Sequence, residues 1–173
     1  MADASRREID WMRAVADTVR GCGARQPITI GTMNGANIDL FAPLADVLCG
    51  HPYVHEAGPL AAVIAGYREQ ARRHAKPFLV NECIPGALDD RDRAAVARFY
   101  TEQLAAAGFG WMGWALREGK AVSTRRDRFD DNGIKGQGYH PFFTAEGRLR
   151  DGLEFLTAPP PAAPWEAACL TPA

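Results

Sequence analysis

The sequence predicts an α/β fold of parallel strands, and three observations carry that prediction. Short apolar or β-branched runs recur at residues 27–32, 46–50, 78–82 and 109–116. Longer segments with helical spacing of apolar residues lie between them, punctuated by proline, aspartate or glycine. The alternation is regular, and strands separated by helices of this length pair in parallel through right-handed crossovers. An open doubly wound sheet and part of a (β/α)₈ barrel both satisfy the order.

Each element has its own signal. Ser5-Arg6-Arg7-Glu8 reads as a capping box that starts a first helix. Ile9, Met12, Val15 and Val19 form its inward face, and Gly21 and Gly23 end it. Pro27-Ile28-Thr29-Ile30-Gly31-Thr32 is a first strand, residues 39–45 a short helix, and residues 46–50 a second strand. Pro59 opens a helix to about His74, with Leu60, Val63, Ile64 and Tyr67 on one face. The third strand is residues 78–82, after Lys76-Pro77. Asp89 or Asp90 caps a helix to about Ala107, with Val96, Phe99, Tyr100 and Leu104 inward. A fourth strand follows at 109–116, then a polar loop to Gly138 and a last helix over 144–156. From Thr157 the chain is rich in proline and alanine and is read as a loose tail.

The totals exclude several classes. At 173 residues the chain accommodates one domain, read as residues 1–156 plus the tail. A net charge of −1 gives no basic footprint for nucleic acid. No stretch approaches the roughly 20 apolar residues of a membrane span. The first residues lack the hydrophobic core of a secretory signal, so the default expectation is cytoplasmic. Cys22, Cys49, Cys83 and Cys169 are scattered without a paired motif, which favours buried free thiols. Cys49, His51 and His55 are too closely strung and lack a fourth ligand, so no metal is expected. No Gly-x-Gly-x-x-Gly or Walker-type loop follows a strand, and no cofactor is called for.

In parallel α/β folds chemistry gathers at the C-terminal ends of the strands. Those ends carry Thr32, Met33 and Asn34; then His51, Tyr53, His55 and Glu56; then Glu82; then Trp114, Arg117 and Glu118. Polar groups of this kind grip hydroxyls, while an indole covers the apolar face of a sugar ring. Glu82 stands out, because a carboxylate closing a buried strand is costly unless paired, solvated or used. Its structural alternative is a strand-end salt bridge to Arg117. Alternation along the fourth strand sends Trp111 and Trp114 to opposite faces, so one of them lines the rim. The charged run from Arg125 to Gly133 misses the spacing of a calcium loop and reads as an ordered rim loop.

His51-Pro52-Tyr53, then Lys76-Pro77 to Asn81-Glu82, then Trp114 resemble the sixth, seventh and eighth strands of cellulase-like glycoside hydrolases. These are retaining (β/α)₈ enzymes of family 5 and its clan. The resemblance covers about residues 9–156 and implies the second half of a TIM barrel, strands five to eight. It implies that Glu82 is the nucleophile, that Tyr53 hydrogen-bonds it, that Asn34 and His51 line the sugar subsite, and that Trp114 is the stacking floor. The implied activity is retaining hydrolysis of a β-linked oligo- or polysaccharide, a glycosidase reaction needing two carboxyl groups about 5–5.5 Å apart. The family places its acid/base on the fourth strand, to which no residue here corresponds. Glu56 and Glu118 are the remaining carboxylates on the rim, without a motif behind them. A half-barrel also leaves raw sheet edges, so a homodimer or a separate N-terminal half-barrel is expected as partner. The competing readings are a non-catalytic half-barrel that binds sugar or assembles, and a small α/β enzyme of another class.

Overall fold

The computed structural model describes residues 3–119 and 138–157, with side chains from Arg6 onward. Helix α1 (Asp3–Gly21) is followed by α2 (Ala36–Phe41), β1 (Leu48–Cys49), α3 (Ala57–His74), β2 (Phe78–Cys83), α4 (Asp90–Ala107) and β3 (Gly110–Gly113). The three strands form one parallel sheet in the order β1-β2-β3, which is not closed. No helix among the described residues is long and apolar enough to cross a membrane.

The alternation read from the sequence is present, but its first strand is not regular. Residues 27–32 run beside β1 with a single parallel bridge, Thr29 to Val47, and backbone bonds from Asp46, Val47 and His51. Two local causes limit pairing. Pro27 has no N–H to donate, and the Ile28 N–H is taken by the Asp46 carboxylate at 2.8 Å. The expected four-stranded sheet is therefore three strands with an irregular neighbour. The expected helix over 144–156 is also corrected. Gly147 and Gly152 adopt φ of 84° and 81°, left-handed values that end helical winding. Phe143 pairs antiparallel with Leu149 there, and one 3₁₀ turn, Glu154–Leu156, is all that remains of the helix.

Helices α3 and α4 cover the sheet. Leu60, Ile64 and Tyr67 of α3 are buried, as their spacing predicts, and Tyr67 stacks on Phe78 at 4.5 Å between centroids. Asp89 caps α4 by accepting the Asp92 N–H at 2.8 Å. The buried stripe of α4 is Arg93, Ala97, Tyr100 and Leu104, so Val96 and Phe99 sit at its edges instead of its centre. Lys76 closes the turn after α2, donating to the carbonyls of Ala42 and Ala45 at 2.5 and 2.7 Å. Helix α1 departs most from expectation. It begins at Asp3, before the proposed cap at Ser5, and Ala16 alone of its described side chains is buried. Val15 and Val19, read as inward, are about two-fifths exposed, because no described element covers that face. The charged run from Arg125 to Gly133 lies outside the described residues, as does the tail beyond Thr157.

Arg93 ties the sheet to the loops beyond it. Its fully buried guanidinium donates to the carbonyls of Ile84 (3.2 Å), Pro85 (2.6 Å), Trp114 (3.1 Å) and His140. It also lies over the Phe142 ring, 4.6 Å from the centroid. Burial lowers its pKa to about 10, still far above neutrality, so it remains a charged donor. Carbonyls from three separate segments thus converge on one side chain. Arg93→Met keeps the length and apolar stem but takes this shared donor from the carbonyls of Ile84, Pro85, Trp114 and His140. We expect a loss of about 3 kcal/mol or more in urea unfolding, against under about 0.5 kcal/mol for the exposed Arg91→Met.

Candidate functional site

The site is built where β2 breaks its own period. Val80 pairs with Trp111 and Cys83 with Gly113, so three steps along β2 match two along β3. One extra residue is accommodated at Asn81 and Glu82. Under strict alternation Phe78, Val80 and Glu82 would share one face. Instead Cys83 joins Phe78 and Val80 in the core, and Asn81 and Glu82 are both half-buried. The irregularity takes a carboxylate off the apolar face on which the sequence period would put it.

Glu82 is then held from the β1 side. The Tyr53 hydroxyl donates to Glu82 Oε1 at 2.7 Å, the bond the sequence suggested. Burial, and then the hydrogen bond to this carboxylate, push the Tyr53 phenol well above its usual range, so Tyr53 is a fixed donor. His51 Nδ1 stands 3.9 Å from Glu82 Oε2, too far for a hydrogen bond. Arg117, the alternative partner, donates to the Ala145 carbonyl instead.

The supports of these groups come from other elements. The Tyr100 hydroxyl on α4 donates toward the carbonyls of Pro52 (3.1 Å) and Val54 (2.5 Å) and accepts the Val54 N–H (2.8 Å), fixing the loop that carries Tyr53. The buried His140 ring meets Tyr53 edge-on at 5.9 Å. Asn81 Oδ1 lies 2.7 Å from Cys49 Sγ and 2.8 Å from His51 Nε2. Burial raises the Cys49 pKa, so its thiol stays protonated and can donate. Gly31 completes the seat of His51, since a side chain there would collide with the imidazole.

The other rim residues differ in how firmly they are placed. Trp114 follows β3, with its N–H on the Cys83 carbonyl at 3.0 Å and its own carbonyl on Arg93. Its side chain is 38% exposed, whereas Trp111 packs against the core. Asn34 is used locally: its Oδ1 accepts the Ala36 N–H at 3.0 Å and shapes the start of α2. Glu118 is bound by Arg150 at 2.9 Å, and Glu56 occupies the residue before α3. Among the described residues no group of three or more His, Cys, Asp or Glu side chains could hold a metal.

Sequence reasoning missed Asn81, Arg93, Tyr100 and His140 as supports of the site. Arg93 and Tyr100 were detectable in principle, because they share the i, i+4, i+7 phase of Ala97 and Leu104 on α4. The hydrogen bonds of Asn81 and the approach of His140 depend on tertiary geometry and left no local signal.

No family profile matches the chain, and no curated protein does. Solved structures do. A GH2 β-galacturonidase from Eisenbergiella tayi, crystallised with glycerol bound, superposes with a TM-score of 0.56 at 12% identity, over 75% of this chain. A β-glycosidase, BGL167, gives a TM-score of 0.46 at 15% identity over 78% of this chain. The chain spans 26% of the galacturonidase and 42% of BGL167. The galacturonidase superposition shows a glycoside hydrolase-like fold for this chain, as a partial α/β domain. Family 5 is not singled out.

With Asn81 Oδ1 as the shared acceptor, the geometry points to one tautomer of His51. Asn81 Oδ1 is an acceptor shared with a protonated thiol, so neutral His51 carries its proton on Nε2 and turns a bare Nδ1 toward Glu82. Long-range proton–nitrogen correlation NMR should show the Nε2–H form of neutral His51, and Asn81→Leu should release that preference. An Nδ1–H form in the parent chain would mean that His51 donates to Glu82 instead.

Proposed function

We propose that this chain carries the nucleophile-bearing half of a retaining glycosidase acting on β-linked sugars, with its strands in the places of strands five to eight of a family 5-like barrel. The observation that carries the reading is Glu82: a strand-end carboxylate, partly solvated, held at one oxygen by a phenol that cannot ionise near neutrality. Tyr53 occupies Oε1, which leaves Oε2 as the attacking atom. Oε2 forms a bond to the anomeric carbon as the bond to the leaving oxygen breaks, and water later cleaves the glycosyl ester. His51 and the amide nitrogen of Asn34 would grip hydroxyls, and Trp114 would lie under the ring.

The acid/base would come from a complementary half-barrel or a partner chain set against the open sheet. Glu118 is tied to Arg150, and Glu56 starts a helix, so neither is assigned the role. The same observation favours the second reading, a half-barrel that binds sugar without turning it over.

An activated substrate separates the two, because a good leaving group departs without a general acid. A dinitrophenyl β-glycoside should give a burst of up to one equivalent of dinitrophenolate and then stall, and azide should restart release by intercepting the glycosyl ester. Glu82→Gln should abolish the burst while sugar binding persists. A burst of parental size in Glu82→Gln would remove Glu82 from the chemistry. Binding without any burst would favour the sugar-binding reading.

A further inference from the structure

His51 is the group placed to change what Glu82 can do. Its ring is held on the side away from the carboxylate. Nε2 lies 2.8 Å from Asn81 Oδ1, which also receives the Cys49 thiol at 2.7 Å. A Cβ built on Gly31 would stand 2.3 Å from Nε2, so the chain passes close behind the imidazole. The backbone N–H of His51 donates to the Thr32 carbonyl at 2.9 Å. These contacts leave Nδ1 as the edge that faces Glu82 Oε2, 3.9 Å away.

The groups around the ring narrow what its charge can meet. Cys49, at the end of β1, and Tyr53, two residues beyond His51, stay protonated and neutral because burial raises both. Across the crevice that His51 lines, Asp39 of α2 is bound by Arg73 and His74 of α3, and Glu69 by Arg72. Among the described residues, Glu82 of β2 is the one carboxylate within 4 Å of the imidazole. Its Oε1 is taken by Tyr53, and among the same residues Oε2 accepts no hydrogen bond. Imidazoles change charge between about pH 5 and 8. With Nε2 already donating, the proton that His51 gains sits on Nδ1. A cationic N–H then faces an anionic oxygen across a gap about 1 Å longer than a charge-assisted hydrogen bond. His51 is pinned, but the Glu82 side chain is 33% exposed and can pivot about its Tyr53 bond to close that gap.

We propose that protonated His51 takes Glu82 Oε2 and so switches the carboxylate off as the pH falls. The contact itself depends only on this geometry; the loss of nucleophilicity rests on the glycosidase reading. Neutral His51 leaves Oε2 free to bond to the anomeric carbon, whereas the cation holds the same electron pair in a hydrogen bond. Reactivity is therefore present above the imidazole titration and lost through it as the pH falls. That loss comes where an ordinary carboxylate is still mostly ionised.

The test has two arms on the full chain. Proton NMR at pH 5 should show a downfield, slowly exchanging Nδ1 proton of His51, absent at pH 8 and absent in Glu82→Ala. Labelling by a fluorinated β-glycosyl fluoride, whose leaving group needs no general acid, should slow at least about ten-fold between pH 7 and pH 5. Protonation of an ordinary glutamate accounts for under about two-fold over that range. His51→Gln keeps an amide for Asn81 and cannot gain a charge. Its labelling, taken relative to its own rate at pH 7, should fall by under about two-fold at pH 5. Absence of the Nδ1 proton from the parent at pH 5 would overturn the proposal. So would parental labelling as fast at pH 5 as at pH 7, or the same acid fall in His51→Gln as in the parent. The Nδ1 proton without labelling of Glu82 at any pH would overturn the glycosidase reading and leave the His51–Glu82 contact standing.

Discussion

One extra residue in β2 governs the rest of the site. Between Val80 and Cys83 that strand is a residue longer than the stretch of β3 it faces. The parity of a strand decides which side chains meet the core, and one added residue reverses it. Cys83 is thereby returned to the core, and Glu82 escapes it. The chain leaves β2 through Ile84, at φ 76°, a left-handed conformation that costs a β-branched residue energy and needs its surroundings to hold it. Arg93 supplies that hold, since its guanidinium takes the carbonyls of Ile84 and Pro85. The same group takes the carbonyls of Trp114 and His140, so the exit of β2, the exit of β3 and the returning loop are fixed together.

The polar groups near Glu82 form two layers with separate duties. Tyr53 and His51 face the carboxylate, while Tyr100 and Asn81 hold those two in place. The arrangement is economical in charge. The donors are a phenol and a thiol that burial keeps protonated, and the acceptor between Cys49 and His51 is a neutral amide. Among the described residues no Lys, Arg, Asp or Glu side chain is paired with Glu82, whose carboxylate takes a phenolic donor and is partly exposed to water. A carboxylate so placed can accept a bond to carbon without first losing an ion pair.

Much of the fold was legible because it is local. Apolar spacing gave α3, the aspartate cap gave α4, and the Phe78-Leu79-Val80 run gave β2. Glu82, Tyr53 and their hydrogen bond were also reachable, since strand ends collect chemistry, Tyr53 lies in the loop after β1 and Glu82 stands at the end of the neighbouring β2. The misreadings have physical causes. Residues 27–32 have strand composition, but Pro27 and the Asp46 carboxylate remove ladder donors. Residues 144–156 contain helix-forming side chains, yet Gly147 and Gly152 take left-handed backbone angles. The stripe of α1 has helical period, and period says that a face is apolar without saying what covers it. Asn81 and Arg93 show the remaining gap: their roles depend on where distant carbonyls and side chains arrive.

The central claim is that Glu82 is the nucleophilic carboxylate of a displacement at an anomeric carbon. The direct measurement is peptide mapping by mass spectrometry after incubation with a fluorinated β-glycosyl fluoride, which forms but does not readily hydrolyse a glycosyl ester. The account predicts one fluoroglycosyl adduct, on the peptide containing Asn81-Glu82-Cys83, with fragmentation placing it on Glu82. An adduct on Glu56, Glu118 or any other carboxylate, with Glu82 unmodified, would contradict it.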